Sequence, residues 1–167
     1  MTDQTARFAL PLIDPGQSQK EMTHNESLAL MDAALQPSVR AVGTAIPPAA
    51  PAAGDQWIVG PSPSGDWAGQ GNAIAAWTSG GWRFVAAVEG MLAWSVADAL
   101  PVRFSRGNWV VGDVAAARVM VAGLPVIGAR RAAIAGPSGG SVIDNEARDA
   151  IAAILAAMAG HGLIAAS

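Results

Sequence analysis

The chain has 167 residues, a net charge of −3 and only 14% charged residues, against about 25% in typical domains. It has no cysteine, two histidines and a single lysine, Lys20. These counts exclude disulfides, thiol chemistry and cysteine-bound metal, and they give no basic surface for nucleic acid.

Residues 1–13 read as an extended arm, with no apolar run before Arg7 that would suit a secretory signal. Asp14-Pro15 then reads as a helix start: Asp14 suits the N-cap, Pro15 the first helical position, and Gln17 completes a capping box. Leu28, Met31 and Leu35 recur at helical spacing and predict an apolar stripe facing a core, and Pro37 ends the helix. On the helix, Gln17, Lys20, Glu21, His24 and Asn25 fall near one another, with Gln19 beside them. A polar face so rich in amides suits hydrogen bonding to another subunit, or to the arm itself. Glu21-x-x-His24 has the spacing of a di-iron ligand pair, but such a site needs two pairs and His161 has no acid three residues before it. No metal or cofactor is expected.

Residues 44–54, Pro/Ala-rich, predict an extended connector. Short segments of strand character follow at Gln56–Val59, Ala73–Trp77, Trp82–Ala86, Met91–Val96, Val102–Phe104 and Trp109–Val111, with another pair at Arg118–Val121 and Leu124–Ile127. Glycine-containing turns at 78–81, 105–108 and 122–123 predict hairpins. Beyond the Gly136–Ser141 loop, Asp144 or Ser141 can cap a second helix with Ala147, Ile151, Ile154, Leu155 and Met158 on an apolar stripe, and Gly160 stands where a left-handed residue closes a helix. The expected fold is mainly β, a small antiparallel domain of short hairpins with an N-terminal and a C-terminal helix, α+β overall. The expected organisation is an arm and helix over 1–37, a Trp-rich β domain over 38–130, and a loop and helix over 131–167. No apolar stretch is long enough to span a bilayer.

No nucleophile elbow occurs. Asp55, Asp66, Glu89 and Asp98 fall near turns and strand ends, where solvated or capping carboxylates are the ordinary finding, so no catalytic residue is assigned. All six tryptophans lie between residues 57 and 109. Most are expected in the core. Trp67, in the Ser62–Gly71 loop, is the candidate exposed ring, and with Asp66 and Arg83 it would form a glycan-binding platform.

Three blocks carry a family resemblance: Leu10-Pro11-Leu12-Ile13 with Gly16-Gln17-Ser18-Gln19-Lys20-Glu21 and Thr23-His24-Asn25-Glu26; Ala45-Ile46-Pro47-Pro48 to Gly54-Asp55-Gln56-Trp57-Ile58-Val59-Gly60; and Ala76-Trp77-Thr78-Ser79-Gly80-Gly81-Trp82-Arg83-Phe84. Together they resemble the DUF2793 proteins of alphaproteobacterial phages, prophages and gene transfer agents, over roughly residues 8–95. The resemblance implies a virion component, assembled in the bacterial cytoplasm, that serves a tail fibre, spike or head spike and takes part in host attachment. It transfers no catalytic residue. The expected partners are further copies of the chain, as a trimer ahead of a pentamer, other virion proteins, and host polysaccharide in the alternative carbohydrate-binding reading.

Overall fold

The computed structural model describes residues 4–13, 16, 20–141 and 144–166. The chain divides into two compact units, Met1–Asp113 and Val114–Ser167. The fold is α+β, with most of its regular structure in short strands.

The first unit holds helix α1 (Lys20–Ala34) and strands β1 (Ser38–Val39), β2 (Val42–Thr44), β3 (Gln56–Val59), β4 (Ile74–Thr78), β5 (Gly81–Val85), β6 (Leu92–Ser95), β7 (Leu100–Ser105) and β8 (Asn108–Val111). Two four-stranded sheets form, in the orders β2-β3-β4-β5 and β1-β6-β7-β8. The consecutive strands β3 to β5 and β6 to β8 are antiparallel, whereas β1 and β2 join their sheets in parallel. Strands β1 and β2 were not foreseen, because two- and three-residue strands paired in parallel carry no local turn signal. The predicted hairpins are present. The β7–β8 turn places Arg106 at φ 52° and Gly107 at φ 80°, the doubly left-handed geometry that matches strand twist in tight hairpins.

Strand alternation gives the β2–β5 sheet two different faces. On one face Ile58 and Ile74 meet Val39, Ala93 and Val102 of the other sheet and form the main core. Complete burial of an isoleucine contributes about 1.5–3 kcal/mol. Gln56 is also fully buried there. Its Nε2 donates to the Ala33 carbonyl at 2.8 Å and its Oε1 accepts from the Ser38 amide at 3.2 Å, which ties β3 to the end of α1 and to β1. The opposite face carries Trp57, Val59, Ala75, Trp82 and Phe84, closed by Trp67 from a short 3-10 turn (Gly65–Trp67).

Helix α1 packs against β4 and β5. The buried residues of its described portion are Asp32 and Ala33, while Met31 and Leu35 are exposed. Of the predicted stripe, Leu28 is half-buried while Met31 and Leu35 are open. The helix stops before Gln36, whose φ of 41° is left-handed, and Pro37 follows. Asp14, Pro15 and Gln17, expected at the helix start, lie outside the described residues.

The second unit contains a hairpin of β9 (Val119–Val121) and β10 (Leu124–Ile127) and the helix α2 (Asn145–Gly160). The hairpin thus groups with the C-terminal helix, whereas sequence spacing grouped it with the Trp-rich strands. Asp144 caps α2 as expected, its Oδ1 accepting from the Ala147 amide at 2.9 Å. The left-handed glycine beyond the helix is Gly162, at φ 72°, not Gly160, which is the last helical residue.

Candidate functional site

The polar cluster of the sequence resolves into a clasp between the N-terminal segment and α1. Residues 4–13 are not extended. They double back through a turn at residues 6–8, with Gln4 bridged to Pro11, and the Leu10 amide donates to Thr5 Oγ1. Asp32 holds this turn. Its carboxylate accepts from the Thr5 hydroxyl at 2.8 Å, the Arg7 amide at 3.0 Å and the Phe8 amide at 2.7 Å. The Arg7 side chain reaches the last turn of α1, where its guanidinium donates to the carbonyls of Asp32, Leu35 and Gln36. A helix end leaves such carbonyls without internal partners and favours a cation beside them. Burial pulls the Arg7 guanidinium below its ordinary pKa, and the Asp32 charge works against that shift.

Asn25 closes the other end of the clasp. It accepts from the Ile13 amide at 2.9 Å and donates to the Ile13 carbonyl at 3.0 Å, a two-way pairing in which the amide's oxygen accepts and its nitrogen donates. Of the five residues predicted to bind a partner or hold the arm, Asn25 holds the arm. His24 lies on the exposed face of α1, and Lys20 opens the helix. Gln17 and Gln19 lie outside the described residues. Arg7 and Asp32 were missed. The available signal was an aspartate set inside the apolar run Leu28–Leu35, which needs donors if that run is buried.

Between the arm, α1 and the β4–β5 turn lies a cleft of about 560 Å³, lined by Thr5, Leu12, Glu21, Met22, Glu26 and Arg83 among others. Arg83 Nε sits 2.7 Å from Glu26 Oε1 and 2.8 Å from Oε2, so strand β5 is pinned to the helix by an ion pair. The Arg83 guanidinium also donates to the carbonyls of Gly80 and Trp82. Glu21 Oε2 is shielded from solvent and has no hydrogen-bond partner among the described residues. No group of three histidine or carboxylate side chains with metal-binding geometry occurs among the described residues. The arrangement can clamp a chain segment by hydrogen bonds and ion pairing. It brings together no nucleophile and base.

The predicted glycan platform does not form. Trp67 is 0% exposed, with its ring centroid 5.1 Å from that of Trp82 and 6.2 Å from that of Trp57. Its loop folds over the sheet face, and two tryptophan neighbours bury more apolar area than a solvated loop would. Asp66 stays exposed beside it, while Arg83 belongs to the arm cleft. The exposed tryptophan is Trp94, on the outer face of β6, 47% open, opposite Pro101 on β7.

The family model described as "Protein of unknown function (DUF2793)" matches residues 24–110, from within α1 to β8. The chain belongs to the DUF2793 family. In this DUF2793 protein the matched span comprises both sheets and most of α1, and the arm and the second unit lie outside it. Asn25, Asp32, Gln56, Trp67 and Arg83 fall within the family region, whereas Arg7 falls before it. No curated protein matches the DUF2793 chain.

Proposed function

We propose that this protein is a structural subunit of a phage or gene-transfer-agent particle, a homo-oligomeric base or adaptor of a spike or fibre that takes part in host attachment. The observation that carries this reading is the second unit. Val119, Met120, Val121, Leu124, Val126 and Ile127 on its hairpin, and Ile151 and Ile154 on its helix, are all exposed. A two-stranded hairpin is at best marginal alone in water, and exposed apolar patches of this kind mark protein interfaces. The first unit differs in having a core between packed sheets and an N-terminal segment clasped to its own helix. The particle context is what the sequence resemblance described above implies. The reading assigns the chain no catalytic step, metal or cofactor.

Proteomics of purified particles, followed by imaging of particles made without this gene, tests the role. The protein is expected in stoichiometric amounts, and a defined spike or fibre is expected to vanish with it. Particles that lack the protein, or that keep every appendage after deletion, overturn the reading.

A second reading, a carbohydrate-binding module for host polysaccharide, rests on Trp94. Its ring stands open on the outer face of β6, opposite Pro101 of the neighbouring strand. An indole presents a large apolar face with one N–H donor. Glycan-array binding that disappears in Trp94→Ala supports this role, and equal signals from both proteins refute it.

A further inference from the structure

The cleft of the first unit holds one charge that nothing in its wall balances. Three acids line it. Glu26 is paired with Arg83. Asp32 has the Arg7 charge beside it and gives its oxygens to Thr5, Arg7 and Phe8. Glu21 pairs with no cation among the described residues, and its Oε2 is out of water without a hydrogen-bond partner. A carboxylate oxygen removed from water costs free energy until a cation or a donor meets it. The uncompensated charge of the cleft is therefore a single negative one, on Glu21.

The rest of the lining selects the cation. Leu12, Met22 and Ala29 give the same cleft apolar surface. Lysine buries its methylene stem along such surface while its head keeps the charge. Its ammonium is a compact point charge that a single oxygen can meet, whereas a guanidinium is planar and pairs best with two oxygens side by side. Pockets of about 300–1,000 Å³ hold ligands of drug size. At about 560 Å³ the cleft is larger than a bare alkylamine fills, and it has room for the backbone that carries a lysine side chain.

We propose that the cleft is a docking site for a lysine-bearing segment of a partner protein, with Glu21 as the counter-ion of the lysine ammonium. This goes beyond the structural role proposed above, because it stands on the first unit alone and names the chemistry by which another chain is held there. Thr5, Ala6 and Leu12 of the N-terminal segment form one side of the cleft. A segment bound there therefore also stabilises the clasped state of residues 4–13, since it binds that state and not the released one.

The probe is the blocked tripeptide acetyl-Gly-Lys-Gly-amide, titrated into the full-length protein and followed by amide NMR shifts. The same peptide with norleucine for lysine keeps the stem and lacks the charge, and n-hexylamine supplies the charge without the backbone. Saturable shifts are expected at the residues that line the cleft, with the norleucine peptide bound about tenfold more weakly. Glu21→Gln should weaken the lysine peptide by about tenfold as well. It should leave thermal stability unchanged or raised, because it removes an unpaired charge, whereas a purely structural Glu21 would make the variant less stable. Hydrogen exchange of residues 4–13 should slow with the lysine peptide and not with the norleucine one. If Glu21→Gln fails to fold, the two peptides on the wild type still decide. Equal affinity for both peptides, no binding of the lysine peptide at millimolar concentration, or unchanged binding by Glu21→Gln overturns the proposal. Hexylamine that binds as tightly as the lysine peptide overturns the protein segment as the source and makes the site one for a free amine.

Discussion

Replacing Asp32 by alanine tests whether the clasp is the anchor of the N-terminal segment. The carboxylate accepts three hydrogen bonds from residues 5–8. Bonds to a charged acceptor contribute about 1.5–3 kcal/mol each, so their gross sum is roughly 4.5–9 kcal/mol. The measured cost will be smaller. Ordering the segment's backbone costs about 1–2 kcal/mol per residue, which offsets much of that gain. Once the anchor is gone the segment lets go, its donors reach water, and no group is left buried and unpaired. The global loss is therefore capped at about 2–3 kcal/mol, while the local effect is large: an opening free energy reduced by about 2.7 kcal/mol speeds amide exchange roughly a hundredfold. Hydrogen exchange of the peptide spanning residues 4–13 reads this directly, and trypsin cleavage after Arg7 gives a second measure. Strands β3 to β8 should keep their protection. Exchange of the Arg7 and Phe8 amides within threefold of wild type would refute the anchoring role of Asp32.

Trp67→Ala should lower stability by about 3–5 kcal/mol in urea unfolding, the cost of emptying a buried aromatic site; a loss under 1 kcal/mol would show that its loop does not close the sheet face. Gln56→Ala should cost about 2–4 kcal/mol, because the Ser38 amide and Ala33 carbonyl lose buried partners, and Gln56→Met should cost nearly as much although it restores volume. Asp55 supplies the pH dependence: burial alone would raise its pKa, but the Ala52 amide and Arg40 outweigh burial and hold it below the ordinary value. A depressed carboxylate stabilises the fold above its unfolded pKa of about 4 and loses that contribution as pH falls through the folded value, so Asp55→Asn should cost about 1 kcal/mol at pH 7, and the difference from wild type should shrink as pH falls below 4.

The parts of the fold legible in the sequence are those specified locally. The turns at 78–81, 105–108 and 122–123 carry glycine between alternating segments, and each forms the hairpin they predict. The Asp144 cap is local in the same sense. What sequence pattern did not reveal depends on residues far apart in the chain. Asp32 is explained only by donors some 25 residues before it, and Trp67 only by Trp57 and Trp82 on a sheet that its loop must cross. Both cases have one physical origin. A buried carboxylate needs donors and an indole needs neighbours, but composition and spacing do not say which distant segment supplies them.

The two units use their side chains differently. In the first unit the few charged side chains include structural ones: Arg7 on the end of α1, Arg83 on Glu26, Arg40 on Asp55. The second unit does not use its apolar residues to build a core of comparable size. Large apolar residues lie open on its short hairpin and on α2, which has no buried residue, and Ile164 is its one buried apolar side chain among the described residues. Ile151 and Ile154 of α2 and the large apolar residues of the hairpin are exposed, and that surface is the observation on which the proposed structural role rests.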